Sequence, residues 1–191
     1  MRMSIRTGML GVGMMLGAAG LIAQSGAPAA KPAAPADAAK VARGKYLMTI
    51  GACNDCHSPK LDPQQHPDPK RPFSGRPQTT QAPSQNPGEI HASLDLTAWA
   101  GPWGISYGAN LTPDPETGLK KRYTEASFIK TLRTGKKPEG EDLQPPMPWE
   151  LYKVFSDDDI KAIWAYLQSI PPIKNNVKAA SPAKPAAPAK K

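Results

Sequence analysis

Cysteine is nearly absent from this chain: 191 residues hold two cysteines and three histidines. Two cysteines exclude a small scaffold stapled by several disulfides, and a second Cys pair to complete a four-ligand structural zinc site is missing. Aromatic residues make up only 6% of the chain. No basic face is interleaved with aromatics, so nucleic acid is not an expected partner. Long apolar runs are also scarce. The longest apolar one, GMLGVGMMLGAAGLIA from Gly8 to Ala23, carries no charge and has 16 residues, where a membrane-spanning helix needs about 20. The formal net charge of +8 is not a property of the core, since residues 40–176 carry 17 basic against 15 acidic side chains. Finally, no convincing strand pattern is found anywhere, which removes the βαβ setting that a thioredoxin-like thiol pair requires.

What is present divides the chain into four. Arg2 and Arg6 precede the uncharged run, and small residues follow it. This reads as a secretory signal peptide over residues 1–27, cleaved around Ala23 to Ala30, which predicts a periplasmic protein. Membrane association is then expected only through partners or through an uncleaved signal. Residues 28–39 (Pro/Ala-rich) and 177–191 (Lys/Pro/Ala) are low-complexity and are expected to be extended, because neither can bury enough apolar surface to offset ordering. Residues 40–176 form one domain of ordinary size.

Within that domain, Ala38 to Ala52 places Val41, Tyr46, Leu47, Met48 and Ile50 on a helix-like apolar face. Residues 59–87 hold eight prolines and predict an irregular loop with no regular helix or central strand. WAGPWGISYGAN, from Trp99 to Asn110, reads as an aromatic wall among glycines. TEASFIKTLRT has Thr124 as N-cap and Gly135 as its stop; SDDDIKAIWAYLQSI has Ser156 as cap, three aspartates at its positive end and Pro171 beyond it.

Both cysteines fall in one stretch, GACNDCHSPK, as Cys53 and Cys56, with His57 next. This is the C-x-x-C-H pattern of c-type haem attachment. A disulfide would be short and strained inside one helical turn. Two thiols at i and i+3 can each add to one haem vinyl group, and the next residue, His57, is then placed to bind iron as the proximal ligand. Its second ring nitrogen needs an acceptor, expected to be a backbone carbonyl.

A sixth iron ligand is sought among what remains after signal removal: Met48, Met147, His66 and His91. Met48 sits at core spacing on the first helix and is read as packing. His66 and His91 lie in polar segments. Met147 stands in LQPPMPWE between Pro146 and Pro148. Prolines there fix φ and remove N–H groups that would otherwise need partners, so the loop holds a thioether rigidly.

Taken together, ARGKYLMTIGACNDCHSP, FSGRP, AGPWGISYGANLTPDPETGL, TEASFIKTLRTGK, LQPPMPW and AIWAYLQSIPPIKN resemble the class I, single-haem c-type cytochromes. They are most similar to the haem modules of cytochrome subunits that serve bacterial alcohol and sugar dehydrogenases. The resemblance implies an all-α, cytochrome c-like fold in which three or more helices and long loops wrap one covalent haem c. It implies thioethers to Cys53 and Cys56, His57 and Met147 on the iron, and a first helix crossing the last through Gly44 and the Tyr166 region. Trp103, Tyr107, Asn110 and Arg76 are further candidates for haem contacts, toward the propionates. The implied role is an electron carrier without substrate or catalysis, exchanging electrons with a dehydrogenase, an oxidase or another cytochrome. A haem peroxidase or small-molecule sensor with a labile sixth ligand is the alternative. The dehydrogenase subunits carry three such modules where this chain has one C-x-x-C-H.

Overall fold

The computed structural model describes residues 35–178. The expected signal segment, the first part of the Pro/Ala stretch and the tail beyond residue 178 lie outside the described residues. The elements are α1 (Pro35–Ile50), α2 (Cys53–His57), β1 (His91–Ala92), β2 (Ala98–Gly101), β3 (Gly104–Tyr107), α3 (Leu119–Arg122), α4 (Glu125–Thr134), α5 (Trp149–Tyr152) and α6 (Asp157–Ser169).

The linker expectation is corrected at its end, since residues 35–39 are helical and not extended. Pro is well tolerated at the first helical position and Ala has the highest helix propensity, so the same Pro/Ala composition can start a helix that packing further along sustains. The packing is the crossing of α1 over α6. Gly44 is buried there, and a Cβ in its place would lie 2.0 Å from the Ala162 carbonyl oxygen and 2.8 Å from the Tyr166 Cβ. Only glycine allows that approach. Around it Leu47 and Met48 of α1 meet Ile160, Ile163 and Leu167 of α6, with Phe128 and Leu132 of α4 completing the core. Burying a side chain of this kind contributes on the order of 2 kcal/mol.

The two best-capped helices begin where their sequences say. Thr124 accepts from the Ser127 N–H while Ser127 accepts from the Thr124 N–H, a reciprocal cap, and Gly135 ends α4 in the left-handed region at φ 69°. Ser156 accepts from the Asp159 N–H at the start of α6. Arg43 of α1 donates to Asp159 at 2.9 Å, tying the two crossing helices at their rim.

The all-α expectation needs a second correction. β1, β2 and β3 form a small antiparallel sheet, with Trp99 opposite Ser106 and Ala100 opposite Ile105. Gly101 and Gly104 bracket a two-residue turn, Pro102–Trp103. The strands escaped notice because each is two to four residues long and rich in Gly and Ala. Their alternation is visible only in burial: Ala98 and Ala100 are fully buried while Trp99 and Gly101 are half-buried.

Residues 59–87 contain no helix or strand apart from an isolated bridge between Lys60 and Pro67. They are held instead by polar anchors. Asp95 accepts from Thr80, Ser93 and Thr97. Asn175 donates to the carbonyls of Ser74 and Arg76, stitching the segment after α6 onto this loop.

Candidate functional site

Ala52 stands between α1 and α2 in the left-handed region at φ 53°, which turns the chain sharply into the CNDCH turn. The far side of that turn is docked on two loop segments. Ser58 is fully buried; its hydroxyl donates to the Asn54 side chain and accepts from the Phe73 N–H. The His57 carbonyl accepts from Gly75 N–H at 2.8 Å. Gly108 lies so close that a Cβ would sit 1.9 Å from the Cys56 carbonyl oxygen, so no other residue fits there.

His57 Nδ1 is 2.9 Å from the Ala109 carbonyl oxygen. A carbonyl can only accept, so Nδ1 carries the proton and Nε2 is the nitrogen left for a ligand. Burial lowers the His57 pKa, the Ala109 carbonyl opposing it in part, so the ring is held neutral, as a ligand must be. The acceptor that the sequence left unnamed is therefore Ala109, 52 residues away in the chain.

Cys53, Cys56, His57 and Met147 all line one cavity of about 410 Å³, within the range of cofactor sites. Its walls are mostly apolar: Leu111, Leu119, Phe128, Leu132, Ile163 and Leu167 among others. The cysteines are free thiols. Burial pushes the Cys53 pKa up to about 12 and raises that of Cys56 as well. A thiol–disulfide oxidoreductase needs the opposite, a thiol whose pKa is depressed. Met48 also reaches this cavity, although it is buried in the α1–α6 core; Met147 is half-buried on the loop before α5.

The remaining candidates separate. Tyr107 lines the cavity. Arg76 stands behind it, fully buried, its guanidinium over the Tyr107 ring at 4.4 Å. Arg76 Nη1 donates to the Val177 carbonyl at 3.4 Å, but Nε has no partner and no carboxylate pairs with it among the described residues. Trp103 is not brought to the cavity. It sits at the hairpin turn and donates to Ser106, while Trp99, on β2, lines the wall instead. Asn110 is engaged elsewhere. Its amide donates to Thr117 and to the Ile173 carbonyl, and its oxygen accepts from the Thr112 N–H and hydroxyl. All its hydrogen-bonding capacity is used inside the protein, so none is left for a ligand.

Sequence reasoning placed Trp99 in the aromatic wall, where the cavity has it, but missed Arg122 and Tyr152. Arg122 lines the cavity and donates to the carbonyl of Asn110 at 2.9 Å; Tyr152 lines it and donates to the carbonyl of Gly51 at 2.6 Å. For Arg122 and Tyr152, on one-turn helices, the sequence holds no signal.

The CNDCH turn, the His57–Ala109 hydrogen bond and the apolar cavity resemble the haem module of a c-type cytochrome. The comparisons with known proteins agree. No protein-family profile matches the chain. Over 131 residues, 69% of its length, it is 35% identical to the gluconate 2-dehydrogenase cytochrome c subunit of Pantoea cypripedii, of which it covers 23%. Over 145 residues, 75% of its length, it is 32% identical to the alcohol dehydrogenase (quinone) cytochrome c subunit of Gluconobacter oxydans (strain 621H), of which it covers 24%. With the fructose dehydrogenase cytochrome subunit of Gluconobacter japonicus it shares 28% identity over 144 residues, again 24% of that protein. The chain is a homologue of the cytochrome c subunits of bacterial dehydrogenases and spans about a quarter of their length.

Proposed function

We propose that this chain is an exported single-electron carrier with one haem c, joined through Cys53 and Cys56 and ligated by His57 and Met147. The single observation that carries the reading is the convergence of four side chains, two thiols, a neutral imidazole with its Nδ1 occupied and a thioether, on one apolar cavity. The residues present fit the group. The cavity is apolar where a porphyrin face would lie, and a buried guanidinium with an orphaned Nε, Arg76, waits behind Tyr107 for an anion such as a propionate. Arg122 offers a second cation on the cavity wall.

When bound, the haem supplies a one-electron Fe(III)/Fe(II) couple. The protein does the rest. Ala109 fixes the tautomer and orientation of His57. Leu111, Phe128, Leu132 and Ile163 keep water away from the cavity. A thioether at Met147 favours the reduced ion and raises the potential relative to a second imidazole. One C-x-x-C-H supports a single haem. The relatives' names make a periplasmic dehydrogenase the best candidate donor, with an oxidase or another cytochrome as acceptor. Among the described residues no helix is long and apolar enough to cross a membrane. The test is the visible spectrum of the exported protein, oxidised and reduced, with haem staining after denaturing electrophoresis. A stained band and a low-spin spectrum unchanged by carbon monoxide are expected. Ready carbon monoxide binding would replace this reading with the peroxidase or sensor one.

A further inference from the structure

The side chain of Lys60 reaches back onto the CNDCH turn. Its ammonium donates to three backbone carbonyls: Asn54 at 3.2 Å, Asp55 at 2.7 Å and Ser58 at 2.8 Å. This uses all three of its donors, and no ion pair with a carboxylate competes among the described residues. The arrangement answers a structural need. α2 has five residues, and at Ser58 the chain turns extended, with φ −127° and ψ 138°. Its last carbonyls therefore lack intrahelical partners. The Asn54 carbonyl accepts from Ser58 N–H and from Lys60, the His57 carbonyl from Gly75 N–H, and the Asp55 carbonyl from Lys60. A cation is the favoured group at this negative end of a helix.

The Lys60 backbone is fixed as well. It bridges to Pro67, while Asp68 N–H donates to the Pro59 carbonyl at 2.8 Å and Leu61 N–H to the His66 carbonyl at 2.9 Å. The side chain thus runs between two held ends and is half-buried. Nothing in the attachment pattern itself calls for a lysine three residues after the histidine.

We infer that Lys60 is a positioning residue for the CNDCH turn, and that its fixed positive charge raises the reduction potential of the haem this turn carries. The inference rests on the haem reading above. A positive charge beside the turn favours Fe(II), the state with one charge fewer, so removing it lowers the potential.

The experiment compares the wild-type protein with Lys60→Met, Lys60→Gln and Lys60→Arg as exported holoproteins, by haem staining, redox titration and thermal melting. Staining of the wild-type band comes first; its absence refutes the haem reading and not the role of Lys60. With haem present, Lys60→Met is expected to lower the melting temperature and to shift the equilibrium with a fixed mediator about threefold toward the oxidised form. Lys60→Arg keeps charge and donors and should restore both. Lys60→Gln keeps two donors without the charge, so it should fold if Lys60→Met does not, and show the same shift in potential. An unchanged potential in Lys60→Gln overturns the electrostatic role. A wild-type melting temperature in Lys60→Met overturns the positioning role.

Discussion

The two sides of the cavity are built on different principles. On one side α1, α4 and α6 pack through Leu47, Met48, Phe128, Leu132, Ile160, Ile163 and Leu167, and Gly44 sets the crossing. On the other, the proline loop, the hairpin and residues 108–112 bury polar groups: Ser58, Ser74, Arg76, Thr97, Asn110 and Thr112 are each at most 1% exposed. The helical side is held by apolar area, which any side chain of the right size supplies in part. The loop side is held by specific long-range hydrogen bonds, which one truncation leaves orphaned. His57 joins them, its motif on α2 and its Nδ1 partner, Ala109, on the loop side.

The largest effect expected is common to both sides. Cys53→Ser with Cys56→Ser removes both thiols and should abolish the stained band after denaturing electrophoresis, leaving a chain that does not melt cooperatively. A retained band would refute the attachment.

On the helical side alone, Gly44→Val places atoms where the Ala162 carbonyl already lies. Overpacking of this severity should cost about 3 kcal/mol or more and lower the melting temperature by about 10 °C. A wild-type melting curve would show that α1 is not held against α6 at this point.

The loop side should yield next. Asn110→Ala leaves the buried Thr112 N–H without a partner and removes one hydrogen bond each from the Ile173 carbonyl and the Thr112 and Thr117 hydroxyls. A loss of about 2–3 kcal/mol is expected in denaturant unfolding, with the haem spectrum nearly unchanged in the folded protein. A large spectral change with little loss of stability would return Asn110 to the haem contacts.

The smallest effect separates two tryptophans four residues apart. Trp103→Ala, on the turn, should change stability by about 0.5 kcal/mol or less and leave the absorption spectrum alone. Trp99→Ala, on the cavity wall, should broaden or shift the haem bands. The reverse order would mean that the turn folds over the cavity.

The same division explains what was legible in the sequence. CNDCH, the caps at Thr124 and Ser156 and the apolar stripes of α4 and α6 are local patterns or periodicities, and chemistry at a fixed spacing can be read from one stretch; the Gly44 crossing came with the family resemblance. The hairpin was missed because strands of four residues rich in Gly and Ala carry no alternation of hydrophobicity. Asn110 and Arg76 were singled out as polar groups near a haem edge, but their partners lie far off in sequence: Ile173 is 63 residues from Asn110, and Val177 is 101 from Arg76. Only the folded chain shows that the first is fully used and the second is left with a free Nε. The Lys60 cap is just as hidden, since a lysine after a proline looks like any solvated charge.

The central proposal is that Met147, with His57, would be a protein ligand of the haem iron. Met48 lines the same cavity and is the natural control. The measurement is the oxidised protein's weak far-red sulfur-to-iron charge-transfer band, recorded with a redox titration for Met147→Ala and Met48→Ala. Met147→Ala should lose the band, lower the potential by on the order of 0.2 V and bind carbon monoxide when reduced. Met48→Ala should keep the band and lose stability alone. Loss of the band in Met48→Ala, with the band and potential intact in Met147→Ala, would contradict the account.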